Sequence, residues 1–176
     1  MRQEFEKIDL ICGSAAVLEN LTKMPAKRPF DDDTADFLDA LGACLRKMPE
    51  FRAMPDVAAF AFWCRRASVA QKKRAYGDDL EHRLGRGVTV HFAPSNIPVL
   101  FAFSMAAGLL AGNACAVRLP SAETRQADVI CRAVNSVCET SYFKNRIAIF
   151  RCGHDRDIID ALSEICDVRV IWGGDA

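Results

Sequence analysis

The sequence carries no net charge, no apolar run long enough to cross a bilayer and no cysteine pair at metal-binding spacing, and each absence removes a class of function. Lys plus Arg and Asp plus Glu both total 23 of 176 residues, so no overall field draws the chain to nucleic acid or to an anionic membrane. Partners have to be sought in local sites. The longest apolar stretch, Ile97 to Ala111, is interrupted by Pro98, Ser104 and Gly108 and falls short of the ~20 residues that span a bilayer. It reads as a buried helix. Eight cysteines stand singly at positions 12, 44, 64, 115, 131, 138, 152 and 166, mostly among apolar neighbours, and without a CxxC pair no zinc or other metal site is expected. Met1 leads into charged Arg2, Glu4, Glu6 and Lys7 rather than an apolar leader, so the expected location is cytoplasmic.

What is present is a globular balance. Hydrophobic residues make up 51% of the chain and charged residues 26%, and a chain of about 150 residues buries roughly 70% of its unfolded surface. From Asp33 or Thr34, read as the N-cap, to Lys47, the residues Phe37, Leu38, Leu41 and Leu45 fall at helical spacing, with Pro49 beyond the end. The aspartates at 31, 32 and 33 precede that helix, where negative charge suits an N-terminus. A second helix is expected from Asp56 to about Tyr76, ended by Gly77, with basic residues in its last turns.

After Gly85 and Gly87 the pattern changes. Val88 to Phe92 is β-rich, the turn Ala93-Pro94-Ser95-Asn96 follows, and helical spacing resumes from Pro98 to Ala111. Gly112-Asn113 caps that helix and Ala114 to Arg118 reads as the next strand. The alternation repeats with a helix from Ala122 to about Glu139, a strand from Arg146 to Phe150, a helix from Asp155 to Ile165 and a strand from Val168 to Trp172. This predicts an α/β fold, a Rossmann-like parallel sheet with crossover helices preceded by N-terminal helices. Residues 1–54 form the expected N-terminal helical segment and residues 55–176 the sheet domain.

Such sheets bind ligands beyond the carboxyl ends of their strands. In the first turn, Asn96 places a carboxamide at the mouth of the sheet. With backbone N–H groups it suits an oxygen that gains negative charge, although read alone the turn favours a helix N-cap. Arg118, at the end of a strand, is either a solvated strand end or a cation able to pair a phosphate through two parallel hydrogen bonds. Gly173 and Gly174 follow the last strand, where glycine lets a backbone approach a ligand closely. His91, His154 and Cys152 offer acid, base or nucleophile chemistry but show no credible partner in sequence.

The block HFAPSNIPVLFAFSMAAGLLAGNACAVRLPSAET, from His91 to Thr124, resembles the aldehyde dehydrogenase superfamily: strand, Pro-x-Asn-x-Pro turn, apolar helix, Gly-Asn turn, strand, and a basic residue with Pro, Ser and acidic neighbours. With GHDRD and the terminal VIWGGD it looks most like the long-chain acyl-CoA reductases of the bioluminescence fatty-acid reductase type, over roughly residues 55 to 176. Gamma-glutamyl phosphate reductases are the nearest competitor, and a non-catalytic binding or assembly module is the alternative of another class.

The resemblance implies an aldehyde-dehydrogenase-like cofactor domain, incomplete here, in which Asn96 forms the oxyanion hole. The cofactor contacts it implies are Pro94, Ser95, Arg118, Pro120, Ser121, Gly173, Gly174 and Asp175. NAD-preferring members usually carry a glutamate where this chain has Ser121, so the expected cofactor is NADPH rather than NADH, with Glu123 two residues beyond. The implied substrate of the complete enzyme is an acyl-CoA or acyl thioester, reduced to the aldehyde through a cysteine acyl-enzyme. That cysteine matches none of the eight here, so the chain alone is expected to be inactive. A homo-oligomer or an acyl-donor protein partner is left open.

Overall fold

The computed structural model describes residues 3–77, 79–153 and 155–173. Its centre is a five-stranded sheet in the order β1-β4-β3-β2-β5, built from β1 (Asp9–Cys12), β2 (Val88–Phe92), β3 (Ala114–Leu119), β4 (Ile147–Arg151) and β5 (Val168–Ile171). Strands β2 to β5 run parallel, as the alternating pattern predicts, with Val90 opposite Ala116 and His91 opposite Val170. The sheet is mixed rather than wholly parallel, because β1 lies antiparallel on β4. Four residues between a 3-10 turn and the short helix that follows carry no legible strand signal, and only the exposed edge of β4 gives them a ladder.

Helices α5 (Leu100–Leu110), α6 (Arg125–Cys138) and α7 (Arg156–Ile165) make the crossovers. The first two carry the chain outward from β2 to β3 to β4. The third brings it back across the sheet to β5, and a right-handed crossover in that direction lies on the opposite face. Side chains therefore sort by strand parity. Cys115, Val117, Ile147 and Ile149 face α5 and α6, while Val88, Val90, Ala116, Ala148 and Phe150 face α7 and the N-terminal Phe5 and Leu18. Both faces are covered over β3 and β4, which is why these strands are apolar throughout.

The other helices are α1 (Ala15–Asn20), α2 (Asp32–Lys47), α3 (Pro55–Trp63) and α4 (Arg66–Tyr76). The N-cap of α2 is Asp31, two residues before Asp33 and three before Thr34, accepting from Thr34 N (3.2 Å) and from Thr34 Oγ1 (2.5 Å). Lys27 bridges Asp31 and Asp33 at 2.7 Å each. The fully buried Leu38, Leu41 and Leu45 hold α2 against the core with α3 and α6, each contributing roughly 1.5–3 kcal/mol.

The single helix expected from Asp56 to Tyr76 is two helices. Arg65 is extended (φ −56°, ψ 140°), and the backbone N–H of Arg66 donates to Asp39 Oδ1 on α2 at 3.0 Å. The cap of α4 thus comes from 27 residues away, which no local pattern announces.

Candidate active site

The chain leaves β2 toward β3 and β4 on one side and returns to β5 on the other. The carboxyl ends of β2 and β5 are therefore the topological switch point, where diverging connections leave a crevice. A cavity of about 570 Å³ opens there, lined by Pro94, Ser95, Asn96 and Gly173, with Ile97, Leu100 and Trp172 as its apolar wall. Four of the residues singled out from sequence meet in this one space.

Two backbone bonds extend the sheet into its rim: Ala93 N donates to Arg118 O and Trp172 N to Phe92 O, each at 3.1 Å. Pro94 then ends the ladder on its strand for want of an N–H. The helix was expected to open at Pro98 but opens at Leu100, after a tight turn in which Leu100 N donates to Ile97 O and Ala102 N to Val99 O (both 3.1 Å). Val99 occupies the N-cap and offers no side-chain oxygen. Asn96 is thus three residues short of the cap position. It is exposed, and its carboxamide makes no hydrogen bond to the described residues. Of the two readings open in sequence, capping is the one the geometry removes.

Behind the crevice, Trp172 Nε1 donates to Ser104 Oγ at 2.9 Å, and the same hydroxyl lies 2.7 Å from His91 Nδ1. An indole N–H can only donate, so Ser104 Oγ accepts there, the direction of its bond to Nδ1 follows the imidazole tautomer, and His91 Nε2 is buried without a partner among the described residues. His91 is 1% exposed, and burial pushes its pKa down to about 4, so the ring is neutral. It packs against Gly108, where a Cβ would stand 2.9 Å from Nε2. In sequence Ser104 is only an interruption of an apolar helix, and that lone hydroxyl is the available signal.

Arg118 is 9% exposed and lies on the α7 face with Phe150. Its Nη2 donates to Cys152 O at 3.1 Å, while its Nε has no partner among the described residues. Among the described residues no carboxylate pairs with this guanidinium. Glu123 approaches Arg151 instead, at 3.8 Å. A buried cation held by one neutral carbonyl is short of negative charge, and a phosphate with paired acceptors fits that deficit. Pro120 lines a narrow cleft of about 10 Å³ that it shares with Pro94 and Ser95. Ser121 is exposed on the neighbouring turn. A Cβ on Gly173 would meet no protein atom within 4 Å, so the glycine leaves that space to the crevice. Gly174, Asp175 and His154 lie outside the described residues.

No cysteine lines the crevice. Burial raises the Cys64 and Cys115 thiols to about 12 and the Cys138 thiol to about 11, and a hydrogen bond with Cys131 raises Cys12. These four hold their protons, whereas a nucleophilic cysteine must yield its own.

Among the described residues no helix is long and apolar enough to cross a membrane. Compared with curated proteins, the chain finds no match. The family model for acyl-CoA reductase (LuxC) matches residues 23–176, spanning the parallel strands β2 to β5, the crevice and the helices α2 to α7 but not the edge strand β1, and the chain belongs to that family of reductases.

Proposed function

We propose that this chain forms the cofactor-binding part, and the oxyanion-holding turn, of an NADPH-dependent acyl-CoA reductase that converts an acyl thioester to a fatty aldehyde in the cytoplasm. The observation that carries the reading is the unpartnered Asn96 carboxamide in the switch-point crevice. A carbonyl attacked by a thiolate gains negative charge on oxygen, and a preorganised side-chain N–H aimed at that oxygen is worth roughly 10²–10³ in rate. Asn96 donates at both tetrahedral stages, as the thioester loses CoA and as the acyl group leaves the cysteine. Ile97 and Trp172 wall the crevice and limit water near the acyl carbon.

Arg118, with Pro94, Ser95, Pro120, Ser121 and the glycines at 173 and 174, would hold NADPH, which when bound supplies the hydride. The carboxylate that would repel a 2′-phosphate is absent at Ser121, and Glu123 faces Arg151 rather than Arg118. In this reading the acyl-accepting thiolate lies outside residues 1–176, and these residues alone form no aldehyde.

The test is a titration of the chain with NADPH and NADH, followed by thermal shift. NADPH is expected to bind about tenfold tighter than NADH, and Arg118→Met, which keeps the bulk and removes the charge, is expected to erase the difference. Equal shifts with both dinucleotides would overturn the NADPH assignment. No shift with either would favour a binding or assembly module.

A further inference from the structure

A second, apolar groove of about 470 Å³ lies beside the crevice, between α5 and the outer strand β5. Its walls include Trp63, Phe103, Val168 and Val170, and its floor carries His91 and Thr89. Leu100 and Trp172 line both the groove and the crevice. They form the sill between a polar space beside Asn96 and an apolar space behind it.

Trp172 is 43% exposed, yet it is held twice. Its backbone N–H continues the β2 ladder through Phe92 O, and its indole N–H ends on Ser104. Ser104 is 5% exposed and is itself oriented by the buried His91. A flexible loop aromatic would need neither tie. A half-exposed ring fixed by a buried serine and histidine is a wall whose angle is set from inside the core.

We propose that His91 and Ser104 are positioning residues for Trp172, and that the fixed indole partitions crevice from groove and so determines how far an apolar substrate tail runs past Asn96. The inference rests on the acyl thioester reading of the crevice. Because Leu100 and Trp172 are common to both spaces, an acyl group whose carbonyl lies at Asn96 has this sill as its path into the groove. With the indole held, the sill limits how far a tail runs into the groove. With it freed or removed, longer tails gain.

The test uses the full chain carrying Trp63→Phe, so that Trp172 is the sole indole, with Ser104→Ala, Trp172→Ala and Trp172→Phe added. Acrylamide quenching of Trp172 emission is expected to rise in Ser104→Ala. Unchanged quenching there would overturn the positioning role whatever the ligand does. Hexanoyl-, decanoyl- and tetradecanoyl-CoA are then titrated below their micellar concentrations, with binding read by thermal shift. Trp172→Ala is expected to raise the tetradecanoyl to hexanoyl affinity ratio roughly fivefold. Ser104→Ala should move it the same way by less, and Trp172→Phe, which keeps a ring but loses the N–H that ties it to Ser104, should move it by a similarly smaller amount. An unchanged ratio in Trp172→Ala, with the parent binding both ligands, would overturn the inference alone. Failure of the parent chain to bind any acyl-CoA would overturn the functional reading and the inference together.

Discussion

The two ends of the sheet are built on opposite terms. At the amino end the polar groups at the strand starts are largely paired, with Thr89 Oγ1 an exception among the described residues. Arg146, 1% exposed, donates to Pro25 O (2.7 Å) and Gly112 O (3.2 Å), leaving only its Nε without a partner. Asn113 Oδ1 accepts from the N–H groups of Arg86 (2.6 Å) and Gly87 (3.2 Å), and Asp167 Oδ2 accepts from Val88 N at 2.7 Å. Lys27 N reaches Gly112 O at 2.8 Å, sealing the N-terminal segment across the strand starts.

At the carboxyl end the balance reverses. Asn96 has no partner, Arg118 has one carbonyl for a whole guanidinium, and Ile97 is 47% exposed. Arg118 Nε is buried without a partner among the described residues and the exposed Asn96 carboxamide stands in the crevice, so this end offers donors that the protein itself leaves unused.

The sharpest way to break this contrast is at its stable end. Arg146→Leu removes the donor to two carbonyls and is expected to cost roughly 3 kcal/mol or more, read as a lowered urea midpoint. A change below about 0.5 kcal/mol would show that the amino-end network is ornamental.

Acid gives the next largest effect. The folded pKa of His91, about 4, lies below its ordinary 6.5. Its contribution is therefore complete above about pH 6.5 and is lost as pH falls toward 4, on the order of 2–3 kcal/mol. Asp31 acts in the same direction. Burial pushes its carboxyl up, but Lys27 and Thr34 outweigh this and hold it below the usual range, so its contribution is lost as acid protonates it. Denaturation midpoints between pH 7 and 4 should fall, and His91→Gln should flatten that fall.

Asn113→Ala, which strands two backbone N–H groups, should cost about 1–3 kcal/mol by the same urea assay. The smallest effect belongs to the site itself. Asn96→Ala should change stability by less than about 0.5 kcal/mol, because no cap is lost. Any larger cost would place Asn96 among the structural residues and erase the contrast.

Much of this was legible in sequence because its signals are local. Val88 to Phe92 alternates into both faces of a sheet, Gly112 takes φ +90° where a helix turns into β3, and Asp155 caps its own helix, whereas α6 starts at Arg125 behind a Thr124 cap rather than at the expected Ala122. Elsewhere the deciding partner is remote. The break between α3 and α4 depends on Asp39, the edge strand β1 depends on β4, and the burial of Arg118 depends on Cys152. Asn96 could be read as a cap or as a free donor until the start of α5 at Leu100 settled its distance from the helix.

By itself, then, the sequence determined the α/β alternation, the composition of the turns and the family resemblance, since propensity, capping and hydrophobic period act over a few neighbouring residues. Only the tertiary structure decided which turns face one another. The reversal of direction after β4 brings Trp172 and Gly173 beside Asn96, some 75 residues apart in the chain, and sets Ser104 to hold the indole. Those relations arise from the order of strands in the sheet, which long-range packing selects and no local pattern encodes.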